Sequence, residues 1–105
     1  MIIVGDYAFV HAGVRPGVPL DQQKTSDLRW IREPFVSTPH DLGLTVVYGH
    51  TIYDQVELAA SRIGIDTGAY ASGRLTALGL EGTARWLIQA QEQDGTISVS
   101  QRSLS

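Results

Sequence analysis

Cysteine is absent from the 105 residues, which excludes disulfides and thiolate metal sites. Charge is scarce too: Asp, Glu, Lys and Arg make up 18% of the chain, and the formal net charge is −3. A nucleic-acid-binding chain carries a basic stripe and a high pI, so no nucleic acid is expected as a partner. No apolar run approaches the length of a membrane span, and Met1-Ile2-Ile3-Val4 lacks both the length and the basic flank of a signal peptide. These absences predict a soluble, cytoplasmic protein with no membrane partner. There is also no internal repeat, low-complexity run or linker, and the length suits one domain over residues 1–105. The hydrophobic fraction, 43%, is enough for a globular core, though a small one.

The apolar segments are short and punctuated by turn residues. Ile2 to His11 reads as a hairpin around Gly5-Asp6, with Asp6 as a turn residue. Pro16, Gly17 and Pro19 mark a loop over 13–19, and a short helix is predicted at about 20–24. A second helix is predicted over 26–33, with Ser26 as its N-cap, Asp27 in its first turn and Pro34 limiting it. In that helix Arg29 and Arg32 would share a face. Residues 36–44 read as a loop, and 45–48 and 62–66 as strands. Residues 67–73 read as another loop, followed by a strand over 74–80. Two final strands are predicted at 86–91 and 96–100, around Asp94-Gly95, with a polar tail from Gln101 that frays. The layout is α/β or α+β, β-rich with little helix.

The histidines stand out by position. His11 closes the apolar run of "AFVHAG", and His50 closes that of "VVYGHT". Each has a glycine within two residues, which lets the backbone turn sharply beside the side chain. If the two strands are sheet neighbours, both imidazoles emerge at one rim. The carboxyl ends of strands are where α/β proteins hold their ligands. Two neutral imidazoles supply half the shell of a divalent transition metal. The plainer alternative is a pair of ordinary rim histidines; the spacing is not the HExxH pattern that places both on one helical face. His40, in a Pro-Asp loop, is expected at the surface. Asp66 ends "RIGID" at a similar rim position, where it would bind metal, orient a ligand histidine through a hydrogen bond, or cap the following turn.

In order along residues 1 to about 80, "FVHAGVRPGVPLDQQ", "DLRWIREPF", "VVYGHT" and "IGIDTGAYASGRLTAL" resemble the carboxy-terminal half of bacterial phosphoprotein phosphatases. These belong to the calcineurin-like metallophosphoesterases. The resemblance implies the C-terminal half of a four-layer αββα sandwich that holds two divalent metals and hydrolyses phosphoesters, with a serine/threonine phosphoprotein as first-choice substrate. It makes His11 and His50 ligands of the second metal and Arg32 the catalytic, phosphate-binding residue. Arg15 and Tyr70 become further substrate contacts. Manganese is the expected metal, with iron, zinc and nickel as alternatives that tolerate imidazole. A guanidinium fork meets two phosphate oxygens at once, and two metals activate water for in-line attack.

The family's first-half motifs are missing from this chain. There is no Asp-x-His, no Gly-Asp-x-x-Asp-Arg-Gly and no Gly-Asn-His; Gly5-Asp6 runs on into Tyr7-Ala8-Phe9. The chain is therefore expected to carry a partial domain and half of a dinuclear centre. It should have little or no activity alone, and should self-associate or depend on a complementing N-terminal fragment. Two other functions remain open: a symmetrical dinucleoside tetraphosphate hydrolase fragment, and a non-catalytic binding or interaction remnant. A plain β-rich structural domain is the bland alternative.

Overall fold

A computed structural model describes residues 1–39 and 42–104. The apolar segments become eight strands: β1 (Ile2–Val4), β2 (Tyr7–Val10), β3 (Thr45–Tyr48), β4 (Glu57–Leu58), β5 (Arg62–Gly64), β6 (Arg74–Glu81), β7 (Ala84–Gln93) and β8 (Thr96–Ser103). They form two sheets, one ordered β1-β2-β3-β5-β4 and the other β6-β7-β8. Two short α-helices, α1 (Thr25–Trp30) and α2 (Ala69–Ser72), complete a strand-rich α+β fold. Single 3-10 turns lie at Leu20–Gln22 and Phe35–Ser37.

The first sheet is mixed. β2, β3 and β5 run parallel side by side, and β1 and β4 close its two edges as antiparallel strands. Parallel neighbours need a long crossover, and residues 11–44 supply it for β2 and β3. That crossover packs on one face of the sheet. Ala8, Val46 and Tyr48 from the strands meet Ala12, Val14, Ile31 and Phe35 from the crossover in one buried cluster. Phe35 stands edge-on to Tyr48, with ring centroids 4.9 Å apart. Gly13 is required there, because a Cβ at that position would overlap the Phe35 ring.

The other face of this sheet meets the β6-β7-β8 meander, where Val47, Ile63 and Leu87 are buried. Polar contacts also tie the sheets together. The Arg85 guanidinium donates to the Tyr7 hydroxyl at 2.7 Å and lies over its ring, and Thr67 and Thr76 join hydroxyls at 2.8 Å. The outer face of the meander is bare. Leu75, Ala90 and Val99 lie opposite one another on its three strands, and Leu75, Ile97 and Val99 are exposed.

Several local expectations need correction. The helix predicted over 26–33 spans Thr25–Trp30, has Lys24 rather than Ser26 at its N-cap position with no side-chain cap bond, and ends where Ile31 turns extended at ψ 139°. The cause is tertiary: Ile31 and Phe35 are pulled into the core, which turns the chain out of helical register before Pro34 acts. Arg32 thus lies beyond the helix and shares no helical face with Arg29. The helix predicted at 20–24 shrinks to the turn Leu20–Gln22, and the 36–44 loop opens with the turn Phe35–Ser37. The 67–73 loop contains α2, bounded by left-handed Gly68 and Gly73. Residues Gln101–Ser103 extend β8 rather than fray, because their register against Trp86–Ile88 continues the ladder. The strand predicted over 62–66 stops at Gly64, and β4 carries too few residues to leave a pattern. Asp6 is a turn residue as expected. His40 lies outside the described residues.

Candidate functional site

Because β2, β3 and β5 are parallel and adjacent, their carboxyl ends share one rim, and the residues that follow them are His11, Gly49-His50 and Asp66. The register pairs Val10 with Tyr48, so the two histidines leave the sheet nearly level. Their ring centroids lie 5.5 Å apart with planes at 46°. Two imidazoles on one tetrahedral ion at ordinary metal–nitrogen distances would have centroids about 5 Å apart, so the pair has the separation that a shared ion requires. His11 is exposed and His50 half-buried.

His50 is held in an unusual state. Its φ is +67°, and Asp94 in a hairpin turn is the other non-glycine residue with positive φ among those described. Its Nε2 is buried and has no hydrogen-bond partner among the described residues. The Trp30 indole stands edge-on to the ring at 5.8 Å. A side-chain nitrogen kept from both water and protein partners, on a strained backbone, suits a role as ligand or proton donor.

Two cavities meet at this rim. One, of about 420 Å³, lies between the sheets and is walled by Phe9, Val47 and Thr76, with His11, His50 and Asp66 at its polar end. The other, of about 480 Å³, is lined by His11, Arg29 and Trp30. Among the described residues, no group of three or more His, Cys, Asp or Glu side chains is arranged to hold a metal ion. Among the described residues, the histidine pair is what could contribute to one.

The expected site residues do not all converge. Arg32 is exposed after α1, and its carbonyl accepts the Val36 amide. Arg15 is committed elsewhere: its guanidinium donates to both Asp27 oxygens, at 2.8 and 3.3 Å. That hydrogen bond raises the Arg15 pKa and holds the Asp27 carboxyl below its ordinary value. Tyr70, on α2, is 88% exposed. The carboxylate of Asp66 is taken by two main-chain amides, those of His50 and Gly68, each at 3.1 Å, so it caps the turn that the plain reading assigned it. Arg29 was missed. It precedes Trp30 at the end of α1 and reaches the cavity beside His11, a placement that follows from the early end of the helix and leaves no periodic signal.

Among the described residues no helix is long and apolar enough to cross a membrane. No family model, curated protein or solved structure matches the chain.

Proposed function

We propose that the chain is the second-metal half of a calcineurin-like metallophosphoesterase, the C-terminal part of its αββα sandwich, acting on phosphoesters of the serine/threonine phosphoprotein type. The observation that carries this reading is the His11–His50 pair, two imidazoles 5.5 Å apart at the ends of adjacent parallel strands. The four sequence blocks that resemble the phosphatases supply the chemical identity.

In this reading His11 and His50 offer neutral nitrogens to a divalent ion, manganese first, with iron, zinc and nickel as alternatives. The ion, when bound, supplies Lewis-acid activation of the phosphoryl group and of water. Arg32 and Arg29, exposed on the same connection, offer guanidinium forks to phosphate oxygens. Trp30 stands edge-on to His50 and walls that side of the site. Arg15 drops out of the substrate-binding set while Asp27 holds it.

Two neutral imidazoles do not balance two dications, and the carboxylate-bearing motifs of the family are absent from this sequence. The chain alone therefore binds one ion weakly and turns over little or no phosphoester. It becomes active when a complementing N-terminal fragment supplies the missing ligands. A manganese titration by calorimetry, run beside His11→Ala and His50→Ala, tests this directly. Saturable binding lost in both variants supports the reading, and equal heats in all three chains refute it. Metal-dependent hydrolysis of p-nitrophenyl phosphate by the single chain, abolished by His50→Ala, would refute the claim of incompleteness. For a complemented enzyme, a phosphopeptide and diadenosine tetraphosphate separate the phosphoprotein substrate from a dinucleoside tetraphosphate. Binding without turnover of either identifies a non-catalytic module.

A further inference from the structure

The Asp66 side chain meets main chain on both sides and no imidazole. Its Oδ2 accepts the His50 N–H and its Oδ1 accepts the Gly68 N–H, each at 3.1 Å. Its carbonyl accepts the Tyr53 N–H at 2.9 Å. On the other flank, the Gly49 N–H donates to the His11 carbonyl at 2.8 Å, and the Gly49 carbonyl accepts the Thr51 N–H at 2.8 Å. His50 is therefore gripped from both directions at the one rim position where a side-chain-bearing residue is left-handed.

We propose that Asp66 is the positioning residue of the histidine pair. A left-handed, side-chain-bearing residue persists only where its surroundings over-determine it. A carboxylate accepting an amide proton is among the stronger hydrogen bonds available for that purpose. Fixing φ of His50 fixes the direction of its Cα–Cβ bond, and so where the imidazole sits relative to His11. Without the carboxylate, the His50 backbone relaxes to an ordinary extended or right-handed conformation and re-aims the ring. The second oxygen carries the same constraint to Gly68 at the start of α2, so the helix bearing Tyr70 and the His50 ring are set by one side chain.

The test uses the full chain without metal, by nuclear magnetic resonance. In the unaltered protein the His50 amide is protected from hydrogen exchange; exchange at the unfolded-chain rate would overturn the proposal. Asp66→Ala shifts the His50 ring resonances and abolishes the ring-to-ring contact signal with His11. Asp66→Asn, which keeps one acceptor oxygen, restores part of that signal. Thr67→Val serves as the comparison, because it removes a hydroxyl bonded to Thr76 and to the Arg74 carbonyl in the same loop and leaves the Asp66 carboxylate in place. It lowers the melting temperature and keeps the ring contact. A ring contact that survives in Asp66→Ala, or is lost equally in Thr67→Val, overturns the proposal. A further readout rests on the metal reading above: manganese affinity falls about tenfold or more in Asp66→Ala, the range typical of residues that orient ligands. Absence of manganese binding in the unaltered chain would sink the metal reading and leave the positioning role to be judged on exchange and ring contact.

Discussion

Substituting His50 by alanine and by glycine isolates the strain its backbone carries. At φ +67° the Cβ crowds the main chain, at a cost of about 1–2 kcal/mol for an L-residue. Glycine avoids that cost but loses about 0.5–1 kcal/mol in unfolded-chain entropy relative to alanine. Both variants lose the same ring contacts with His11 and Trp30, so those terms cancel between them. The net expectation is that His50→Gly is more stable than His50→Ala by about 1 kcal/mol. For a domain of this size that is a Tm difference of roughly 4–8 °C. Urea unfolding followed by circular dichroism measures it, with equal slopes in the two variants as the check that only stability has changed. The usual order at an unstrained site is the reverse, alanine above glycine. If His50→Ala equals or exceeds His50→Gly, the backbone is not held left-handed in solution, and the argument for Asp66 fails with it.

Other outcomes follow from the packing and the charges. Burial, and then the hydrogen bond with Tyr53, raises the Tyr48 phenol pKa, so its contribution to stability is full below an unfolded-chain pKa of about 10 and is lost as the pH climbs past it. Unfolding free energy should therefore fall above about pH 10, and Tyr48→Phe should flatten that limb. Asp27 has the opposite sign: its lowered pKa gives stability above an unfolded value of about 4 that is lost as pH falls through the folded value. Asp27→Asn should reduce the acid limb slightly, and added salt should reduce it further, since the pair is at the surface. Gly13→Ala forces a methyl against Phe35 and should cost about 1–3 kcal/mol in urea unfolding while leaving the His11 ring untouched. If the unaltered chain self-associates through this face, Ile97→Lys with Val99→Lys, on the open edge strand β8, should shift its sedimentation toward monomer. Identical sedimentation of both chains would show that this face drives no association.

What was legible in the sequence depended on range. Local signals succeeded: Gly5-Asp6 marks its hairpin, β-branched Thr45-Val46-Val47 marks β3, and a polar residue directly after each apolar run marks the rim. The inference that His11 and His50 meet needed only the assumption that their strands are neighbours, and they are. Failures came where partners distant in sequence decide. Nothing around Arg15 announces that Asp27, across the Pro-rich loop, will claim it. The end of α1 was placed by Pro34, a local stop, whereas the core claims Ile31 first. With the helix ending there, Arg32 lies beyond it and Arg29 borders the His11 cavity. Asp66 was visible as a rim carboxylate, but a grip on main chain leaves no trace in residue type.

The two sheets also differ in how far along the chain each must reach to form. The β6-β7-β8 meander joins neighbours through tight turns at Gly82 and Gly95, the kind of contact a chain makes early. The β2–β3 pairing must wait until the long connection between the two strands has been made, and such non-local closure comes slowly. The meander, bare outer face included, would then exist before the rim does. On that order the histidine pair would assemble after the meander, and contact between its rings would mark a late stage of folding, before any question of what the site binds.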